Sequence, residues 1–146
     1  MHFSTRSRYG LRAMIDIALY GSEGPVSMRA ISERQGVSFS YLEQVFNSLR
    51  KHGLIKAVRG PSGGYILIRP ANQIPIGDIL RALDGPFAPV DCVDPSCDAN
   101  PCERKQLCIS RFFWEKLQDN VNNFMDSMTL QQLIDHSGTA NPVYFI

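Results

Sequence analysis

No apolar run in the 146-residue sequence approaches the ~18 residues a membrane span requires. The opening Met1-His2-Phe3-Ser4-Thr5-Arg6 lacks the basic-then-apolar order of a secretory leader. A cytoplasmic protein without membrane contact is expected. A C-x-x-C redox pair is also missing, as are a glycine-rich nucleotide loop after a strand and a Cys/His/Asp nucleophile arrangement. An enzyme is therefore not expected. Net charge is almost absent too, at +1 from 15 Lys+Arg and 14 Asp+Glu. What is present suits a folded domain: 44% hydrophobic and 20% charged residues, in a chain long enough for one real core.

The near-neutrality conceals a split. Residues 1–70 hold ten Lys/Arg (Arg6, Arg8, Arg12, Arg29, Arg34, Arg50, Lys51, Lys56, Arg59, Arg69) against four acids, a net +6. Residues 71–146 hold five bases and ten acids, a net −5. One end is thus suited to a polyanion.

Apolar spacing predicts a helix over 5–20, with Leu11, Met14, Ile15, Ala18 and Leu19 as its inward stripe. Ser27 is an expected N-cap for a short second helix with Met28, Ala30 and Ile31 inward, closed by Gly36. Ser38 is the next expected cap, for a helix over 39–52 with Leu42, Val45, Phe46 and Leu49 inward. Two helices joined by a tight glycine turn form a helix-turn-helix. Strands are expected at 54–58 and 65–69, around Arg59-Gly60-Pro61-Ser62-Gly63-Gly64. That loop exceeds a two-residue turn, so its tip projects as a wing. Pro75 suits the first turn of a fourth helix with Ile76, Ile79, Leu80 and Leu83 inward, ended by Gly85-Pro86. A long helix over 109–126 presents Ile109, Phe112, Phe113, Leu117, Val121, Phe124 and Met125 at 3/4 spacing, continued by Met128 and widened by Trp114. Such a large apolar surface either packs back on the winged helix or builds a symmetric dimer, and the dimer is the expectation. Thr129-Leu130-Gln131-Gln132 matches a capping box for a last short helix.

The expected fold is mainly α with a small β-hairpin wing. A winged helix-turn-helix spans 1–85, with the helix-turn-helix at about 27–52 and the wing at about 54–69. A cysteine loop follows over 86–108, then a dimerisation helix and short terminal helix over 109–136, and a tail over 137–146.

The outer face of the third helix presents Ser40, Glu43, Gln44, Asn47 and Lys51. Hydrogen-bonding side chains in its N-terminal half suit base edges of the major groove, with Glu43 accepting from cytosine. Arg59 on the projecting wing suits a minor groove, beside glycines that let backbone approach a phosphate. Arg6, Arg8, Arg50 and Lys56 are candidate phosphate contacts. Ser38, Tyr41, Gly60 and Ser62 complete the expected set on double-stranded DNA.

Residues 86–108 show no periodicity and carry all four cysteines, spaced Cys92-x4-Cys97-x4-Cys102-x5-Cys108. Disulfides are disfavoured in a reducing compartment, and the paired knuckles of structural zinc are missing. Even spacing along a Pro-rich loop lets thiolates wrap a larger object, which places an iron–sulfur cluster ahead of zinc, and both ahead of inert thiols. Asp91, Asp94 and Asp98 make the loop acidic, which Arg104, Lys105 and Arg111 offset.

The chain resembles the Rrf family of winged-helix regulators, and within it the iron–sulfur cluster-bearing members. The resemblance covers about residues 2–136. It rests on Arg8-Tyr9-Gly10, Ser40-Tyr41-Leu42-Glu43-Gln44, Arg59-Gly60-Pro61-Ser62-Gly63-Gly64-Tyr65, Ile76-Gly77-Asp78-Ile79 and Thr129-Leu130-Gln131-Gln132-Leu133. It implies a homodimeric DNA-binding regulator, with Ser40 and Glu43 reading bases and Arg59 entering the minor groove. It also implies three cysteine ligands plus a variable fourth; a two-iron (2Fe–2S) cluster is the expectation, with a four-iron (4Fe–4S) one as the alternative. Cys102 and Cys108 match the last two ligands, and Cys97 or Cys92 the first. Two alternative ligand positions of the family, three residues after the last cysteine and near the start of helix one, hold Arg111 and Arg8 here. The expectation is that all four cysteines coordinate. A zinc- or thiol-based redox sensor on the same scaffold is the alternative. An electron-transfer protein would leave the winged helix without a role.

Overall fold

The computed structural model describes residues 3–97 and 102–137. Asp98 and residues 138–146 of the expected tail lie outside the described residues. Six helices and one hairpin follow in order: α1 (Thr5–Tyr20), α2 (Met28–Gln35), α3 (Phe39–Lys51), β1 (Ile55–Val58), β2 (Gly64–Leu67), α4 (Ile76–Asp84), α5 (Ile109–Ser127) and α6 (Leu130–Ser137). This is the winged helix expected from the sequence, with a long helix added.

The local signals act through the atoms expected of them. Ser27 accepts from the Ala30 amide at 3.1 Å, and Gly36 closes α2 in the left-handed region at φ 63°. The capping box of α6 is reciprocal: the Thr129 amide donates to Gln132 Oε1 at 2.8 Å and the Gln132 amide to Thr129 Oγ1 at 3.3 Å. Ser38 differs. It stands at the N-cap of α3, yet its hydroxyl caps nothing. Pro75 stands at the N-cap of α4 rather than inside its first turn.

The hairpin pairs Ile55 with Leu67 and Val58 with Gly64, antiparallel. Val26 adds a third rung, exchanging both backbone hydrogen bonds with Tyr65 at 3.0 and 2.8 Å. Gly64 must be glycine here, because a Cβ would lie 2.4 Å from the Val26 carbonyl oxygen. A second bridge joins Pro75 to Thr129. Through it the Ile76 amide donates to Met128 O at 2.8 Å and the Leu130 amide to Ile74 O at 2.9 Å. The segment leaving the wing is thereby strapped to the corner between α5 and α6.

The core contains Leu42, Val45, Phe46 and Leu49 of α3, as expected, with Leu54, Ile55, Ile74, Ile79 and Leu130. Phe46 packs edge-on against Tyr65 at 4.6 Å. The stripe expected on α1 is rotated. Its fully buried residues are Ser7, Gly10, Ala13, Met14, Asp16 and Ile17, whereas Leu11, Ile15 and Ala18 reach only the edge of the core. Ala30, expected inward on α2, is likewise only half-buried. The physical reason on α1 is close approach by α4: a Cβ on Gly10 would lie 2.2 Å from Leu83 Cδ1. Small residues, not large ones, mark the side where two helices touch most closely.

Asp16 is fully buried and held on three sides. Arg34 donates to it through Nε at 3.0 Å and Nη2 at 2.6 Å, and Gln35 through Nε2 at 2.8 Å. The Arg34 guanidinium also lies 4.0 Å from the centre of the Tyr20 ring. Its hydrogen bond to Asp16 raises the Arg34 pKa, so the cation persists at any ordinary pH. Together these contacts lock α2 onto α1.

Candidate nucleic-acid interface and cysteine loop

Apolar positions of α3 go to the core, so the remaining face is presented outward by geometry. Ser40, Glu43, Gln44, Asn47, Arg50 and Lys51 are all exposed there, and Ser38 precedes them. Tyr41 is placed differently. It is half-buried, with its ring edge-on to Tyr9 at 5.8 Å. That contact sets the α1 turn carrying Arg8 against the N-terminal half of α3, and Arg8 itself is exposed.

The wing tip is a defined turn. The Gly63 amide donates to Gly60 O at 3.0 Å, and Gly60 sits at φ 119°, a region that favours glycine. Gly63 is closely packed too, with a Cβ there falling 2.3 Å from the Val58 carbonyl oxygen. Arg59, Gly60, Pro61 and Ser62 are exposed around this turn.

The ten basic residues of the first half separate into two groups. Arg29 pairs with Glu33, Arg34 with Asp16 and Arg69 with Asp78. Arg12 donates to the side chain and carbonyl of Gln35. Arg6 is half-buried and donates to Ser48 Oγ, which ties α1 to α3 and engages one expected phosphate contact internally. Arg8, Arg50, Lys51, Lys56 and Arg59 are exposed and have no ion-pair partner among the described residues. Five of the ten are thus engaged by other groups of the chain, Arg29 only in an exposed surface pair, and the other five have no such partner among the described residues.

The first part of the cysteine loop is anchored on α5, and its last residue, Cys108, is the N-cap of that helix. Gln118 Nε2 donates to Phe87 O at 2.9 Å and to Val93 O at 3.1 Å. Arg111 Nη1 donates to Cys92 O at 3.0 Å while its Nε pairs with Glu115 at 2.6 Å. Cys92, within a single 3-10 turn over Asp91–Val93, is therefore tied to the residue three positions beyond Cys108. The i, i+4 spacing of Arg111 and Glu115 is legible in the sequence, but nothing local signals the Gln118 contacts. Asp94 accepts from the amide and hydroxyl of Ser96 at 2.8 and 2.6 Å, which hold its carboxyl below the usual range.

All four cysteines are free thiols, with Cys97 and Cys102 exposed and Cys92 and Cys108 half-exposed. Cys108 Sγ lies 3.1 Å from Ser110 Oγ. That hydroxyl, with backbone amide donors behind it, holds the thiol below its ordinary pKa, toward the thiolate that binds metal. Among the described residues, no three His, Cys, Asp or Glu side chains converge as a ready metal site. The donor chemistry fits a soft metal group: four unpaired thiols, two of them on anchored backbone.

No helix of the described residues is long and apolar enough to cross a membrane. Residues 3–136 match the Rrf2 family model, described as an iron-dependent transcriptional regulator. The transcriptional regulator IscR of Pectobacterium atrosepticum is 40% identical over 97% of this chain and 84% of its own length. Among solved structures, T. potens IscR superposes with a TM-score of 0.77 at 37% identity, covering 99% of this chain and 94% of that one. CymR, the global cysteine regulator of B. subtilis, superposes at 0.74 with 38% identity, covering 93% and 98%. These relatives are regulators rather than enzymes. The chain belongs to the Rrf2 family of transcriptional regulators.

Proposed function

We propose that the protein is a cytoplasmic, homodimeric regulator that binds double-stranded DNA through α3 and the wing, and that an iron–sulfur cluster on the cysteine loop modulates this binding. The observation that supports DNA binding best is the exposed polar face of α3 flanked by cations without internal partners. Ser40 and Glu43 read base edges, with Gln44 beside them. Arg59 enters the minor groove from the shoulder of the wing, beside the turn that the Gly63 amide closes on Gly60 O. Ser38, whose hydroxyl caps nothing, meets phosphate with Arg8, Arg50, Gly60 and Ser62. Tyr41 supports the base-reading face by packing on Tyr9.

The dimer reading is supported by α5. Only Met125 of this helix is buried, while Ile109 is 91% exposed and Phe112, Phe113 and Phe124 more than half exposed. Packing back on the winged helix therefore satisfies one side of the stripe. A symmetric pairing of two copies would cover the rest, since apolar surface of this extent is rarely left in water. Two recognition helices at a set separation then match two half-sites.

Cys92, Cys97, Cys102 and Cys108 would hold the cluster, which supplies redox-sensitive iron–thiolate bonds, of the two-iron type ahead of the four-iron type. Arg111 and Gln118 fix the backbone on which Cys92 stands, so ligation of the thiols would tether the free part of the loop to α5. Zinc binding or thiol oxidation on the same residues is the second reading, favoured by the exposure of Cys97 and Cys102.

Anaerobic purification followed by iron and acid-labile sulfide assay, with a visible spectrum, separates these readings. Sulfide in proportion to iron supports the cluster, and metal without sulfide supports zinc. Each Cys→Ala variant is expected to lose cluster absorbance, and an unaltered spectrum for Cys92→Ala removes that residue from the ligand set. Arg59→Ala is expected to cost about 1–3 kcal/mol of duplex affinity, most at sites with a narrow minor groove. Fluorescence anisotropy on A-tract and GC-rich duplexes measures this, and equal loss on both excludes minor-groove readout.

A further inference from the structure

The motif Ile76-Gly77-Asp78-Ile79 touches neither the recognition face nor the cysteine loop, yet it lies at a crossing of three elements. Arg69, two residues beyond β2, donates through Nη1 to Gln73 O at 3.1 Å and through Nη2 to Asp78 Oδ2 at 2.8 Å. The other oxygen of Asp78 accepts from Arg81 Nη2 at 3.2 Å. The same Nη2 donates to Asp126 Oδ1, in the last turn of α5. Burial alone would push the Asp78 carboxyl up, but the two guanidinium hydrogen bonds outweigh it and hold it below the usual range. The hydrogen bond to Asp126 raises the Arg81 pKa, so the chain of charges stays intact at neutral pH.

Gly77 makes the crossing possible. A Cβ at this position would stand 2.1 Å from Asp126 Oδ1 and 2.8 and 2.9 Å from the two terminal nitrogens of Arg81. Only the bare backbone lets the Arg81–Asp126 pair lie flat across α4. The backbone strap from Ile74 and Ile76 to Met128 and Leu130 runs beside it. The root of the wing is thus joined to the C-terminal end of α5 twice, by charges and by backbone.

We propose that Asp78, Arg81 and Asp126, with Gly77 as the clearance they need, are positioning residues that set the wing relative to the long helix. This rests on the reading of the wing as a DNA contact. The 19-residue α5 is about 28 Å long, with the cysteine loop tethered at one end and this relay at the other. A rigid helix moved at its cysteine end moves Asp126, and the relay passes that displacement to Arg69 and the wing. The charges are half-exposed, so their worth to overall stability is small. Their effect is directional, on where the wing stands.

Asp126→Asn is the decisive variant, because among the described residues Asp126 bonds only to Arg81. Amide exchange should accelerate in peptides covering Ile55–Leu67 and stay unchanged in α3. Binding to a mixed-sequence fluorescent duplex should weaken by roughly two- to thirty-fold, the span seen for residues along coupled networks. Introduced together with Arg59→Ala, Asp126→Asn should add no further loss, since the wing contact is already gone. Unchanged wing exchange, or an equal loss with and without Arg59, overturns the relay. A wild-type protein that fails to bind the duplex overturns the DNA-binding reading instead, and the exchange measurement still decides the relay.

Discussion

Arg34→Ala is expected to lower folding stability by about 3–5 kcal/mol, the cost of leaving a buried charge without its partner. Asp16 is wholly inaccessible and accepts two of its three hydrogen bonds from Arg34. Removing the guanidinium leaves only the Gln35 amide to compensate a carboxylate that water does not reach. The stacking on Tyr20 is lost as well. In urea denaturation the midpoint should fall by about 1 M or more. The double variant Asp16→Leu/Arg34→Leu should recover much of the loss, because two apolar groups need no partner. A single variant within about 0.5 kcal/mol of wild type would show that other groups compensate Asp16, and would remove this pair from the account of how α2 is docked. Since α2 supports α3, the same variant should lower DNA binding in proportion to the fraction unfolded and not beyond it.

Duplex affinity should fall steeply as salt rises. A protein that neutralises about 6–10 phosphates loses roughly 10³–10⁵ in affinity between about 50 and 200 mM salt. Counting all ten basic residues of the first half would give a dimer 20 cations. The structure halves that figure, since five of the ten are engaged by other groups of the same protomer, four in part-buried contacts and Arg29 in a surface pair. Arg8, Arg50, Lys51, Lys56 and Arg59 remain, so a dimer offers ten and a log–log slope no steeper than about −9. A slope near zero would sink the polyanion partner. A slope much steeper than −9 would mean that the internal pairs open on binding. Replacing Lys56 should flatten the slope by about one with little change in sequence preference, as a phosphate contact does.

Much of this architecture is legible in the sequence, for local reasons. Ser27 and Gly36 delimit α2 through their own backbone chemistry, and Thr129 with Gln132 starts α6 by a reciprocal exchange confined to four residues. The hairpin followed from two short runs of β-formers around a glycine-rich loop, although Gly64 is paired in β2 rather than part of the tip. On α3 the apolar spacing assigned the core face correctly, and with it the opposite, exposed polar face. On α1 the same logic placed Met14 correctly but favoured Leu11, Ile15 and Ala18, which only border the core, over Gly10, Ala13 and Ile17. Two apolar arcs run along that helix, and only the approach of Leu83 to Gly10 selects the one carrying small residues. Hydrophobicity favours large side chains inside, whereas close helix contact favours small ones, and periodicity alone does not weigh the two.

The candidate sites divide in the same way. The four cysteines of the loop were visible as candidate donors, because thiols are recognisable by type alone. The clamp of Arg111 on Cys92 and the reach of Gln118 to Phe87 and Val93 join residues 19, 31 and 25 positions apart, and no local pattern announces them. The basic half was likewise visible as a count, while its meaning was not. Arg6, Arg12, Arg34 and Arg69 look like Arg8 and Arg59 in sequence, but they serve Ser48, Gln35, Asp16 and Asp78.

By itself the sequence determined the kinds and order of elements, their caps and turns, the outward face of α3, and the absence of any long apolar span. These depend on interactions within one turn or one residue of the chain, where spacing and residue type are sufficient. Tertiary structure alone decided which side of α1 is buried, which cations remain for a partner, and how α5 connects to the wing through Asp126, Arg81 and Asp78. Those outcomes depend on which distant groups share a few ångströms of space. Charge and burial are settled there by competition among all available partners.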